Sequence, residues 1–161
     1  MRRVAAIALG SNLDSEFGDR EANLREAVER VARLGELRAV SSFYDTAPVG
    51  FTEQPRFLNG AMLLWTELEP VELMRALLAI ERAMGRDRSG VAAKGPRAID
   101  LDLLLLGDVV LRSGPDERCE LTLPHPAMAE RRFVLEPLAE IAPAMVDPVT
   151  GRTVAEMLDS V

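Results

Sequence analysis

Asp100 and Asp102 interrupt an otherwise apolar run, Ile99-Asp100-Leu101-Asp102-Leu103-Leu104-Leu105-Leu106, that follows Gly95-Pro96-Arg97-Ala98. As a strand, whose side chains alternate between faces, this segment would put both carboxylates on one face and Leu101, Leu103 and Leu105 on the other. Two unit charges about 6 Å apart repel by about 3 kcal/mol at an effective dielectric of about 20. Total native stability is only about 5–15 kcal/mol, so such a pair calls for compensation. A hard divalent cation would supply it, because Mg²⁺ is commonly held by one or two carboxylates together with substrate phosphates. Arg97 could then meet the phosphate charge. A charged device at the end of a buried strand, or a solvated helix start, is the commoner role of an isolated Asp-x-Asp.

The surrounding charge admits both readings. The 161-residue chain carries a net charge of −7, which argues against a general nucleic-acid binder. Yet from Arg82 to Arg97 the charged residues are Arg82, Arg86, Arg88, Lys94 and Arg97, opposed only by Asp87. Phosphate plus metal explains both signs together; a solvated helix end and loop explains the basic residues alone. Gly85-Arg86-Asp87-Arg88-Ser89-Gly90 has the outer glycines of a P-loop, but Val91-Ala92 follows in place of Lys-Ser/Thr. There is no Gly-x-Ser-x-Gly elbow and no His-Glu-x-x-His, and His125 is the sole histidine. Phosphoryl-type transfer remains open, since it needs positioned reactants, Mg²⁺ and cations rather than a protein nucleophile. Cys119 is the only cysteine, which removes a disulfide framework and a cysteine zinc site and suits a reducing cytoplasm.

These residues need a scaffold. The length suits one domain over residues 1–161, with 48% hydrophobic and 28% charged residues, an ordinary globular composition. Val4 to Leu9 is too short for a signal-peptide core and reads as a first strand, and no run approaches a membrane span of about 18 apolar residues. Leu24, Ala27, Val28, Val31 and Leu34 predict an amphipathic helix over Arg20 to Leu34, closed by Gly35. Leu37 to Tyr44 is rich in strand formers, Thr46 to Pro55 reads as a loop, and Phe57 to Trp65 as a strand. Pro70 opens a helix in which Leu73, Leu77, Ile80 and Met84 recur up to Gly85. Arg86 to Pro96 is a loop, and Ile99 to Leu106 a buried strand. Short strands at Val109 to Leu111 and Glu120 to Leu123, and helices at Ala127 to Leu135 and Val154 to Leu158, complete the expectation. The order β-α-β-β-α-β predicts an α+β, ferredoxin-like sandwich with a mainly antiparallel sheet covered by helices.

An ordered set of short motifs then runs through nearly the whole chain. It comprises Ala8-Leu9-Gly10-Ser11-Asn12-Leu13, Ser41-Ser42-Phe43-Tyr44, Thr46 with Pro48-Val49-Gly50, and Gln54-Pro55 with Phe57-Leu58-Asn59. Ile80-Glu81, Gly95-Pro96-Arg97 with Asp100-Leu101-Asp102, Pro124-His125-Pro126, and Arg131 with Phe133 follow. In this set the chain resembles 6-hydroxymethyl-7,8-dihydropterin pyrophosphokinase of folate synthesis. The resemblance implies an ATP-dependent diphosphotransferase in which the pterin hydroxymethyl oxygen attacks the β-phosphorus of ATP and AMP leaves.

By the same resemblance, Asp100 and Asp102 would bind two Mg²⁺ ions, and Arg86 and Arg97 would be catalytic cations on the triphosphate. Glu81, Arg88, Ile99, His125 and Arg131 would join them in the ATP site. Gly10, Thr46, Pro48, Val49 and Asn59 would surround the pterin, sandwiched between Phe57 and Phe133. Without the resemblance both phenylalanines read as core residues. Three positions depart from the family pattern: Ala93 and Lys94 stand where a basic residue and an aromatic are usual, and Ala47 replaces a frequent proline. The implied protein is a cytoplasmic monomer acting on ATP and the pterin, with no nucleic-acid or membrane partner. A noncatalytic module binding a pterin or nucleotide as regulator is the alternative, supported by the altered loop.

Overall fold

Strict alternation over two long apolar segments builds the centre of the molecule. In the computed structural model, which describes residues 1–49, 53–85, 97–112 and 121–161, the elements run β1 (Arg3–Ser11), α1 (Arg20–Ala32), β2 (Glu36–Val40), β3 (Tyr44–Thr46), β4 (Phe57–Thr66), α2 (Pro70–Ala83), β5 (Asp100–Leu106), β6 (Leu111–Arg112), β7 (Thr122–Leu123), α3 (Arg132–Ile141) and α4 (Val154–Asp159). The main sheet has the order β2-β4-β1-β5, with β3 also paired to β4, and every one of these pairings is antiparallel. Because β4 lies between β1 and β2 and runs against both, the β1-α1-β2 unit is a split βαβ, and the fold is the α+β, ferredoxin-like one.

Each face of the sheet has its own cover. On one, Ile7, Leu9, Met62, Leu64, Leu101 and Leu103 pack against Leu24 and Val31 of α1 and Leu73 and Leu77 of α2. On the other, Ala6, Ala8, Ala61, Leu104 and Leu105 meet Val134, Leu135 and Leu138 of α3 and Val154 and Met157 of α4. Asp19 starts α1 by accepting the Ala22 N–H at 3.0 Å, and Thr153 with Glu156 forms a capping box at α4.

Four features depart from the sequence expectation. Leu105 shares the face of the aspartates instead of opposing them. Ala6 pairs with Leu105 whereas Ile7 pairs with Leu103, so Leu104 is an extra, bulged residue that reverses the alternation beyond it. The segment Leu37 to Tyr44 forms two strands, because at Ser41 the hydroxyl, not the ladder, accepts the Ala61 N–H at 2.9 Å. The helix expected over Ala127 to Leu135 begins later: a 3-10 turn at Met128–Glu130 precedes α3, which carries Pro137 within it. Finally, Gly35 lies three residues beyond α1, and its requirement is proximity. A Cβ there would stand 2.0 Å from the Trp65 carbonyl oxygen.

Candidate active site

On the α3 face, the sheet residues nearest the starts of β4 and β5 are small or polar, and a cleft of about 320 Å³ opens there, at the lower end of the range of about 300–1,000 Å³ usual for small-molecule sites. Its floor is Ala8 and Gly10 of β1, paired with Asp102 and Asp100 on one side and with Ala61 and Asn59 on the other. Gly10 is where these groups converge. A Cβ built on it would lie 3.2 Å from Asn59 Oδ1 and 3.9 Å from both Asp100 Cβ and a Phe57 ring carbon. Glycine therefore leaves the carboxylate strand and the aromatic strand open to one shared space.

One half of the cleft collects charge. Arg97, preceding β5, places Nη1 3.3 Å from Asp100 Oδ2 and its guanidinium 5.5 Å from the Phe57 ring centroid. Arg131, at the start of α3, stands over Phe133 at 5.8 Å. His125 enters from the loop after β7, its backbone N–H held at 2.9 Å by the carbonyl of the bulged Leu104. Its Nδ1 accepts the Ala127 N–H at 3.2 Å, which leaves the ring proton on Nε2. Burial, reinforced by Arg131 and opposed by Asp100, pushes the His125 pKa down, so the ring is a neutral donor at neutral pH. The other half is shaped for a flat ring: Phe57 and Phe133 line it with Thr46, Ala47, Val49 and Asn59. The Asn59 amide nitrogen donates to the Thr46 hydroxyl, tying the end of β3 to β4.

Most of the residues singled out in the sequence thus meet in one cleft: Gly10, Thr46, Val49, Phe57, Asn59, Arg97, Asp100, Asp102, His125, Arg131 and Phe133. Three do not line it. Glu81, 2% exposed on α2, accepts the Leu101 N–H at 2.8 Å and so holds the backbone between the two aspartates. Ile99 is fully buried in the core under α1 and α2, and Pro48 is not among the lining residues although Ala47 and Val49 are. Arg86, Arg88, Ala93 and Lys94 lie outside the described residues.

Asn12 is the residue whose role the sequence did not reveal. It is 2% exposed, and its Oδ1 accepts the Arg97 N–H at 2.8 Å. Its Nδ2 donates to Gln54 Oε1 and to the Pro55 carbonyl, each at 2.9 Å, and its own N–H reaches the Arg97 carbonyl at 3.0 Å. One amide joins the segment that delivers Phe57 to the segment that delivers Arg97. Its sequence signal is its place within the motif Ala8-Leu9-Gly10-Ser11-Asn12-Leu13.

An α+β domain whose cleft joins an acidic pair and arginines to an aromatic slot has the layout of a transferase that moves a phosphoryl-type group onto a flat heterocycle. The sequence model of 7,8-dihydro-6-hydroxymethylpterin-pyrophosphokinase (HPPK) matches residues 6–143. The chain belongs to this family. It is 41% identical to the 2-amino-4-hydroxy-6-hydroxymethyldihydropteridine pyrophosphokinase of Synechocystis over 159 residues, covering 98% of this chain and 75% of the relative. With the enzyme of the same name from Methylorubrum extorquens the identity is 45% over 156 residues, covering 96% and 90%. The crystal structure of wild-type Plasmodium falciparum HPPK-DHPS with pteroate shares the fold, with a TM-score of 0.75 at 14% identity. The alignment takes in 99% of this chain but 42% of that longer one.

Proposed function

We propose that this chain transfers pyrophosphate from ATP to the hydroxymethyl group of 6-hydroxymethyl-7,8-dihydropterin, releasing AMP, in folate synthesis. The observation that carries the reading is the convergence at Gly10, where the carboxylate strand and the aromatic strand face one space without a side chain between them. The substrate hydroxymethyl oxygen bonds to the β-phosphorus as the bond to the α-phosphate's bridging oxygen breaks, and the electron pair leaves with AMP. Both reactants must therefore sit within one short cleft.

Asp100 and Asp102 fit Mg²⁺: two oxygen-donor side chains share a sheet face beside an arginine, and among the described residues no cluster of three or more His, Cys, Asp or Glu is present to make an all-protein cage. Bound there, two Mg²⁺ ions would neutralise phosphate charge and orient the attacking and leaving oxygens. Arg97 presents a fixed cation to the triphosphate, because its backbone is held on Asn12 and its side chain on Asp100. His125 offers a neutral Nε2–H to a phosphate oxygen, and Arg131 adds charge from the opposite wall. Phe57 and Phe133 hold the pterin ring, Asn59 reads its polar edge, and backbone around Thr46 and Val49 completes that edge. Arg86 and Arg88 belong to the ATP side of this proposal. We assign the chain a cytoplasmic location, which its single cysteine suits, and a monomeric state. No described helix is long and apolar enough to cross a membrane.

Nucleotide product analysis tests the reaction. Purified protein with Mg²⁺ and ATP should form AMP only when the hydroxymethyl pterin is added. ADP as product, or ATP loss without the pterin, rejects it.

A further inference from the structure

The motif Ser41-Ser42-Phe43-Tyr44 lies outside the cleft, yet it ends two residues before Thr46. Ser41 Oγ accepts the Ala61 N–H at 2.9 Å and donates to the Ser42 carbonyl at 2.7 Å, which fixes the chain as it crosses from β2 to β3. Phe43 fills the space left by Gly60, where a Cβ would lie 2.8 Å from the ring. The next two polar groups turn toward α3. Ser42 donates its N–H at 2.8 Å and its hydroxyl at 3.1 Å to Glu140 Oε2, and the Tyr44 hydroxyl donates to Glu140 Oε1 at 2.6 Å. Three donors from the β3 lead-in thus meet one carboxylate of α3.

The spacing gives this contact a purpose. Tyr44 and Thr46 are two residues apart on β3 and point to the same face, about 6.5 Å apart along the strand. Phe133 and Glu140 are seven residues, or about two turns, apart on α3 and so share a helix face. β3 and α3 are therefore bridged at two levels. At one, Tyr44 meets Glu140 directly; at the other, Thr46 and Phe133 stand across the cleft. We propose that Glu140, held by Ser42 and Tyr44, is a positioning residue that sets the separation of the β3 and α3 walls and thereby the affinity of the cleft for the flat heterocyclic substrate. It touches no substrate. Asp100, Asp102 and Arg97 stand on β5 or the segment before it, so these phosphate-side groups do not depend on this brace; Arg131, at the first turn of α3, is the phosphate-side cation on the braced wall. This inference rests on the assignment of the aromatic half to the pterin.

The test is steady-state AMP formation by wild type, Glu140→Ala, Glu140→Gln and Tyr44→Phe, with calorimetric binding of a non-hydrolysable ATP analogue and thermal melting alongside. For Glu140→Ala the pterin KM should rise about fivefold, as expected when an exposed carboxylate with three hydrogen bonds is lost. Turnover and nucleotide affinity should stay within about twofold, the signature of lost ground-state binding of one substrate. Glu140→Gln, which keeps an acceptor oxygen, should fall between, and adding Tyr44→Phe to Glu140→Ala should raise KM no further. Should Glu140→Ala fail to fold, the same KM increase without a change in nucleotide affinity is required of Tyr44→Phe. An unchanged pterin KM in a folded variant, or an equal loss for both ligands, overturns the brace. Absence of pterin-dependent AMP in the wild type overturns the cleft assignment instead.

Discussion

The same three strands, β1, β4 and β5, present two faces of opposite character. Toward α1 and α2 their side chains are Ile7, Leu9, Met62, Leu64, Leu101 and Leu103, all buried. Toward α3 they are Ala6, Ala8, Gly10, Ala61 and Asn59, with Asp100 and Asp102 at the cleft and Leu104 and Leu105 beyond it. Backbone geometry is common to both, so the cleft comes from side-chain volume: one face is filled along its length, and the other is left short of atoms at the cleft. The α3 face is thus divided between a second core under α3 and α4 and an open end that holds the cleft.

The separation can be broken from either side. Asp100→Asn or Asp102→Asn should cut turnover by at least about 100-fold, as loss of a preorganised transition-state charge contact does. The melting temperature should remain near wild type; normal Mg²⁺-dependent turnover in both variants would remove these residues from the metal site. Leu103→Ala on the filled face should do the reverse. It should cost about 2–5 kcal/mol in urea unfolding and leave the pterin KM of the folded enzyme unchanged. Asn12→Ala crosses the divide, because it strands the Arg97 N–H and the Pro55 carbonyl, at about 1–3 kcal/mol per buried group. Stability should fall in urea unfolding, and both pterin and nucleotide affinities should weaken by calorimetry. A loss of stability with both affinities intact would make Asn12 a purely structural joint.

Gly10→Ala sharpens the comparison with one methyl group. Its Cβ at 3.2 Å from Asn59 Oδ1 should raise the pterin KM by about tenfold while the opposite face stays as packed as before. The smallest effect concerns alkaline pH. The hydrogen bond to Glu140, then burial and the nearby charges of Glu140 and Glu136, raise the Tyr44 pKa from 10.0 to about 12. A raised pKa means that the neutral hydroxyl's contribution is complete below pH 10.0 and is lost as pH rises toward 12. Pterin affinity should therefore weaken over that window in the wild type and not in Tyr44→Phe.

Much of this organisation was legible in the sequence for physical reasons. Leu73, Leu77, Ile80 and Met84 have helical spacing, and β4 is long enough for its apolar character to be unmistakable. Most residues that line the cleft stand in the ordered motifs, because motif order is visible even where geometry is not. Four things were hidden. Periodicity cannot announce an inserted residue, so Leu105 was placed on the wrong face of β5. Asn12 contacts Gln54, Pro55 and Arg97, between 42 and 85 positions away, and no local pattern carries such a contact. Glu81 belongs to the ATP site by resemblance alone, and no local pattern shows that its carboxylate is buried against the Leu101 N–H. The start of α3 was misplaced because the alanine, methionine and leucine between Ala127 and Leu135 suit a helix, while the backbone takes a tight turn at Met128–Glu130 first.

The bulge at Leu104 bears on how long β5 can be. With Leu104 removed, Leu103 and Leu105 would become neighbours, and the pairs Ile7 with Leu103, Ala6 with Leu105 and Ala5 with Leu106 would form an uninterrupted ladder. The shortened strand would be more regular, but the carbonyl that holds the His125 backbone would be gone. This position therefore sets chain length against regularity: the extra residue interrupts the ladder and gives the chain's sole histidine a fixed place in the cleft.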